Sequence, residues 1–160
     1  MSIVFESEAA LCEAAGEAAM RWRECQASPL VVGLEGGLGA GKTTWVRAML
    51  RGLGYTARVP SPTFTLLEHY EIGELTVVHL DLYRLADAGE LEFLGIRDWL
   101  RLPRVWLLAE WPGRGGHFAE TLDLELEFEI LADERRQLTP AALTASGQAA
   151  LSAWLGHDIK

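Results

Sequence analysis

The sequence predicts an α/β domain built on a mixed sheet with flanking helices. Three observations carry that expectation. Strand-like apolar runs alternate with stretches of helical periodicity along the 160 residues. A glycine-rich segment, Gly36-Gly37-Leu38-Gly39-Ala40-Gly41-Lys42-Thr43-Thr44, lies between a predicted strand and a predicted helix. The length suits one domain, and no linker, repeat or low-complexity tract divides it, so residues 1–160 read as a single domain.

Each element has its own warrant. Ile3 to Phe5 reads as a short strand. Ser7 is the N-cap of a helix to Glu24 that carries Leu11, Ala15, Ala18 and Trp22 along one face. Leu30 to Glu35 is a short apolar strand. From Lys42 to about Leu53 the pattern is helical, with Val46, Met49, Leu50 and Leu53 as its stripe and Gly54 as its stop. Prolines punctuate a loop from Arg58 to Pro62. Thr63 to Ile72 and Glu74 to Asp81 read as two strands around Gly73. Glu90 to Leu100 reads as a short helix and Val105 to Glu110 as a buried strand, ended by Trp111-Pro112-Gly113. Leu122, Leu124, Leu126, Phe128 and Ile130 alternate with Asp123, Glu125, Glu127 and Glu129, which predicts a half-exposed strand. Alternation accounts for each of these acids as a solvated face, so they are not read as a metal site. A strand near Arg135 to Leu138 and a helix from Gly147 to Leu155 complete the reading.

Charge and composition narrow the function. The formal net charge is −9, and a surface of that sign repels a phosphate backbone, so the chain is not expected to bind DNA or RNA alone. No apolar run is long enough for a membrane span, and Met1 to Glu8 lacks the pattern of a secretion signal. The expected location is therefore cytoplasmic. Cys12 and Cys25, thirteen residues apart within one predicted helix, fit neither a metal spacing nor a disulfide framework and read as buried or incidental thiols.

Gly36 to Thr43 meets the G-x-x-x-x-G-K-S/T pattern at every fixed position, in the strand–loop–helix context that phosphate binding requires. Glycines let successive backbone N–H groups turn inward onto phosphate oxygens. The following helix adds its unpaired N–H groups and positive dipole end. Lys42 is placed to meet the β- and γ-phosphates, Thr43 to ligate magnesium, and Thr44 to donate to an α-phosphate. The expected fold is thus P-loop NTPase-like. Residues Gly37, Leu38, Gly39, Ala40, Gly41, Lys42, Thr43 and Thr44 are the nucleotide-binding candidates. The chain has no asparagine and no lysine besides Lys42 and Lys160, so the N-K-x-D element of guanine-specific proteins cannot be built, and adenine is favoured. A metal partner and a water-orienting group are still needed. Two apolar strands end in an acid, at Asp81 and at Glu110, and pattern alone leaves open which is which.

Five blocks, GGLGAGKTT (36–44), SPTFTL (61–66), HLDLYRL (79–85), ELEFLG (90–95) and Glu110-Trp111-Pro112, resemble the TsaE (YjeE) family of bacterial ATPases required for threonylcarbamoyladenosine in transfer RNA. The resemblance implies that Thr63 approaches the γ-phosphate in a first switch segment and that Asp81 orients the water or acts as general base. It further implies that Glu110 assists magnesium and that Trp111 packs beside the site. It implies ATP and Mg2+ as ligands, slow hydrolysis by the protein alone, and action with the TsaB–TsaD pair, so that tRNA is reached only indirectly. Two positions depart from the family pattern. Gly37 stands where an aspartate is expected. Ser7 fits a base-proximal serine, but Leu11 occupies the place of the threonine four residues on.

Lesser features have plainer readings. Arg84 is a candidate cis arginine or, more simply, a surface ion pair, and His79 reads as a half-buried histidine of the core. Two other functions use the same loop. A small-molecule kinase needs an acceptor site and an arginine-bearing lid, for which 112–119 with Arg114 is the candidate. A nucleotide-dependent interaction module needs no turnover.

Overall fold

The computed structural model describes residues 1–156; Lys160, the second lysine, lies outside the described residues. Thirteen elements follow in order. They are β1 (Ile3–Phe5), α1 (Glu8–Glu24), β2 (Leu30–Gly36), α2 (Lys42–Gly52), β3 (Leu67–Ile72), β4 (Leu75–Asp81), α3 (Glu90–Phe93), α4 (Ile96–Trp99), β5 (Val105–Glu110), a 3-10 segment (Pro112–Thr121), β6 (Leu124–Ile130), β7 (Arg136–Ala142) and α5 (Ala145–Leu155). The strands form one seven-stranded sheet in the order β1-β7-β6-β2-β5-β4-β3. The pairs β6–β2, β2–β5 and β5–β4 are parallel, and the pairs towards both edges are antiparallel, which makes the sheet mixed.

The central strands are apolar on both faces because both faces are covered. On one side Leu30, Val32, Leu34, Trp106, Leu108, Leu124 and Leu126 pack under α1, α2 and α5. Trp22 Nε1 donates to the Ala150 carbonyl at 3.0 Å, tying α1 to α5, and its ring meets Trp106 edge-on. Across the sheet Val31, Val78, Leu80, Val105 and Leu107 meet Leu82, Leu91, Phe118 and Leu122. Burial of this second set fixes the 3-10 segment against the sheet.

The structure corrects several boundaries. Residues 62–65 form a turn, and β3 starts only at Leu67. The apolar residues there suggested a strand, but Leu66 sits at φ 62°, where an extended chain cannot continue. The helix expected over 90–100 is two single turns, because Gly95 at φ 69° breaks it. Ile130, expected on the buried face of β6, is 44% exposed at the strand end. β7 runs on to Ala142, and α5 starts at Ala145 under a Thr144 cap. Cys25 is exposed and Cys12 only partly covered, so neither is a buried core thiol, and both are free.

Candidate nucleotide site

The site lies at the carboxyl ends of the parallel strands, where crevices form in open α/β sheets. Register brings it together: Leu34 of β2 is opposite Glu110 of β5, and Glu110 is opposite Asp81 of β4. The glycine-rich loop leaves β2 at Gly36, whose φ is 140°; a Cβ there would stand 2.3 Å from the Phe128 carbonyl oxygen. Only glycine makes this turn against β6. Gly41, at φ 114°, precedes the first turn of α2, whose leading N–H groups face the loop.

Lys42 opens α2 and is 4% exposed. Its ammonium donates to the carbonyls of Gly36 at 2.5 Å and Gly37 at 2.9 Å, and lies 4.1 Å from the centre of the Trp111 ring. Burial pulls its pKa below the usual lysine range, and the nearby Glu110, Glu35 and Asp81 carboxylates oppose that shift. Trp111 is held at φ 59°, with Tyr83 against its ring and the Arg114 guanidinium over Tyr83.

Thr43 Oγ1 donates its proton to Glu110, at 2.8 Å from Oε1 and 2.9 Å from Oε2. With that proton committed, the hydroxyl lone pairs remain available to a cation. Glu110 is 3% exposed, and its Oε2 also lies 2.6 Å from His79 Nε2. Asp81 Oδ1 accepts from the Tyr83 N–H. Burial raises the Asp81 pKa; the Tyr83 hydrogen bond opposes this, Glu110 adds to it, and His79 and Lys42 lower it. A hydroxyl and a carboxylate are hard oxygen donors, which suits magnesium. No group of three or more His, Cys, Asp or Glu among the described residues is arranged to hold a metal, the acidic row of β6 included. A site of two protein donors would leave the remaining positions to phosphates and water.

Lys42, Thr43, Asp81, Glu110 and Trp111 line a cleft of about 790 Å³, with His79 buried behind Glu110. Thr63 borders it from the 62–65 turn, with its hydroxyl 2.8 Å from that of Ser61. The Leu66 carbonyl accepts from the Asp81 N–H and ties that turn to β4. Ser7 caps α1 by accepting from the Ala10 N–H at 3.1 Å and also borders the cleft. Leu11, Phe5 and Ile130 give this end an apolar lining.

The family model for threonylcarbamoyl adenosine biosynthesis protein TsaE matches residues 6–138. The chain belongs to the TsaE family. The "tRNA threonylcarbamoyladenosine biosynthesis protein TsaE" of Haemophilus influenzae is 42% identical over 125 residues, 78% of each chain. The protein of the same description from Bacillus subtilis is 37% identical over 113 residues, 71% of this chain and 70% of its own. The crystal structure of Bacillus subtilis YdiB superposes with a TM-score of 0.75 at 26% identity, covering 99% of this chain and 96% of that one. The fold is thus that of a P-loop NTPase-like TsaE protein.

In this TsaE chain the sequence candidates Gly37 to Thr44, Thr63, Asp81, Glu110, Trp111 and Ser7 all border one cleft or touch residues that do. Gly37 faces open space, so the position expected to carry an aspartate would hold one without a clash. Leu11 is buried and borders the cleft, so an apolar side chain stands where the family pattern places a hydroxyl. Arg84 makes no ion pair among the described residues, and its guanidinium lies 5.3 Å from the Phe64 ring. His79 was missed as a site neighbour: it is fully buried, not half-buried, and touches Glu110. The signal was present, because period two places His79 and Asp81 on the same face of β4.

Proposed function

We propose that this protein binds ATP with magnesium in the cleft and hydrolyses it slowly, and that this turnover supports the TsaB–TsaD pair in threonylcarbamoyladenosine modification of tRNA. The observation that carries the reading is the contact of Thr43 with Glu110 directly beside Lys42 and the glycine-rich loop.

Each residue has a role that follows from its chemistry. The N–H groups from Gly37 to Thr44 receive phosphate oxygens, and Lys42 moves from the loop carbonyls to the β- and γ-phosphates. Thr43 and Glu110 would hold magnesium, which when bound neutralises developing phosphate charge as a Lewis acid. Asp81 orients the attacking water and accepts its proton; desolvation, which raises its pKa, makes it a stronger base than a solvated aspartate. Thr63 approaches the γ-phosphate from the adjacent turn. Trp111 covers the lysine, and Ser7 borders the base end.

The family membership and the acidic net charge of −9 support a route to tRNA through protein partners. The kinase reading is weakened by the 112–121 segment, whose Gly115 and Phe118 are packed into the second core and not free to close as a lid. Among the described residues no helix is long and apolar enough to cross a membrane. The test is ATP turnover by the purified protein alone, with TsaB and TsaD, and with a panel of metabolites. Stimulation by the pair supports the proposal. A phosphorylated metabolite would establish the kinase, and nucleotide binding with no turnover in any mixture would establish the passive module.

A further inference from the structure

His79 is an ionisable side chain with 0% exposure on β4, between the buried Val78 and Leu80. A residue chosen only for packing there would be aliphatic, like both its neighbours. The imidazole instead leaves Nδ1 buried with no partner among the described residues, a cost that an apolar side chain avoids. Its other nitrogen makes one contact, 2.6 Å from Glu110 Oε2. An ionised carboxylate can only accept, so Nε2 carries the proton of that hydrogen bond.

Register explains the reach. His79 is opposite Leu108 and Asp81 is opposite Glu110, so His79 meets Glu110 diagonally across the β4–β5 pair. Thr43 holds the same carboxylate from α2. The Glu110 head is therefore fixed from two different elements.

We propose that His79 is a positioning residue for Glu110, locking the carboxylate in the orientation in which Thr43 and Glu110 present oxygen to magnesium. This rests on the reading of Glu110 as the acid that assists the metal. Partners that orient a metal ligand from behind affect metal affinity by about 10–100-fold when removed. The role concerns the N–H donor and its position, so an amide that places an N–H at similar reach supplies it in part.

The experiment titrates magnesium into the full-length protein with mant-ADP as the probe, beside the same binding in EDTA and a thermal melt. His79→Leu is expected to bind mant-ADP in EDTA as the wild type does and to need roughly 10–100-fold more magnesium at the midpoint. His79→Gln is expected to recover much of that shift. An unchanged midpoint in folded His79→Leu, or a loss of equal size in EDTA, overturns the proposal. Where His79→Leu does not fold, His79→Gln and His79→Asn decide. The longer amide should keep a near-native midpoint and the shorter one should not, and equal midpoints overturn the role. A wild-type protein whose mant-ADP binding ignores magnesium overturns the metal reading of Glu110 and this inference with it. An unchanged midpoint against a magnesium-dependent wild type overturns the inference alone.

Discussion

Replacing Glu110 with glutamine keeps the side-chain volume and removes the charge. In the native protein the carboxylate is 3% exposed and receives the Thr43 hydroxyl at 2.8 and 2.9 Å and the His79 Nε2 at 2.6 Å. A hydrogen bond to a charged group contributes about 1.5–3 kcal/mol and a neutral one about 0.5–1.5. Two partners therefore lose roughly 1 kcal/mol each, or ~2 kcal/mol of the fixed geometry that the metal would use. The amide also turns an N–H towards one of them. Thr43 can rotate its hydroxyl to accept, whereas the protonated His79 Nε2 cannot. A divalent cation sharing this carboxylate loses at least a comparable interaction, so magnesium-dependent nucleotide affinity should fall by about 30-fold, at ~1.4 kcal/mol per decade. Competition of ATP against a fluorescent nucleotide, in magnesium and in EDTA, isolates that part, and a thermal melt reports any cost to folding. Native affinity in magnesium, or a loss of the same size in EDTA, would refute the assignment of Glu110 to the metal.

Four further outcomes can be measured. Asp81→Asn should leave ATP binding near native and cut single-turnover hydrolysis by about 100-fold or more, the usual share of a positioned base; a variant that hydrolyses normally would remove Asp81 from the chemistry. Because burial raises the Asp81 carboxyl above its usual 3.8, hydrolysis should decline on acidification at a pH above that value, and a pH–rate profile with no such limb would count against the role. ATP should outcompete GTP for the site, since no guanine element exists in a chain without asparagine, and equal competition would refute this. At low salt, isolated protein should not bind tRNA tightly: its net charge is −9, and Arg47 and Arg51, one candidate local patch, donate to the carbonyls of Val59, Tyr55 and Ala57. Tight, salt-sensitive association in a titration would contradict it.

Local chemistry made much of this protein legible. The glycine-rich loop has a spacing that backbone geometry dictates, so Gly36 to Thr44 could be placed between strand and helix, as it is in the structure. Alternation located β6, and helical stripes located α1 and α2. The losses came where a neighbour overrides the local pattern. Thr63 to Leu66 is apolar enough for a strand, but just past the last β3–β4 pair Leu66 takes φ 62° and its N–H closes a turn onto the Pro62 carbonyl. Ile130 keeps the parity of β6 but lies at the end of the strand, where it borders the open cleft and stays exposed. His79 followed the parity rule as well, yet its partner is on a strand 31 positions away in sequence, and only the parallel register of β4 with β5 reveals the contact.

The central claim is that the loop from Gly36 to Thr44, through Lys42, holds the phosphates of ATP. Calorimetric titration of magnesium-ATP into the wild type and into Lys42→Ala tests it most directly. The ammonium is 4% exposed, and a charge-assisted contact of this kind contributes about 1.5–3 kcal/mol. The account predicts one ATP site in the wild type and an affinity lower by about 10- to 150-fold in the variant, with a native melting temperature or a small change in it. An identical binding isotherm for the two proteins would contradict it.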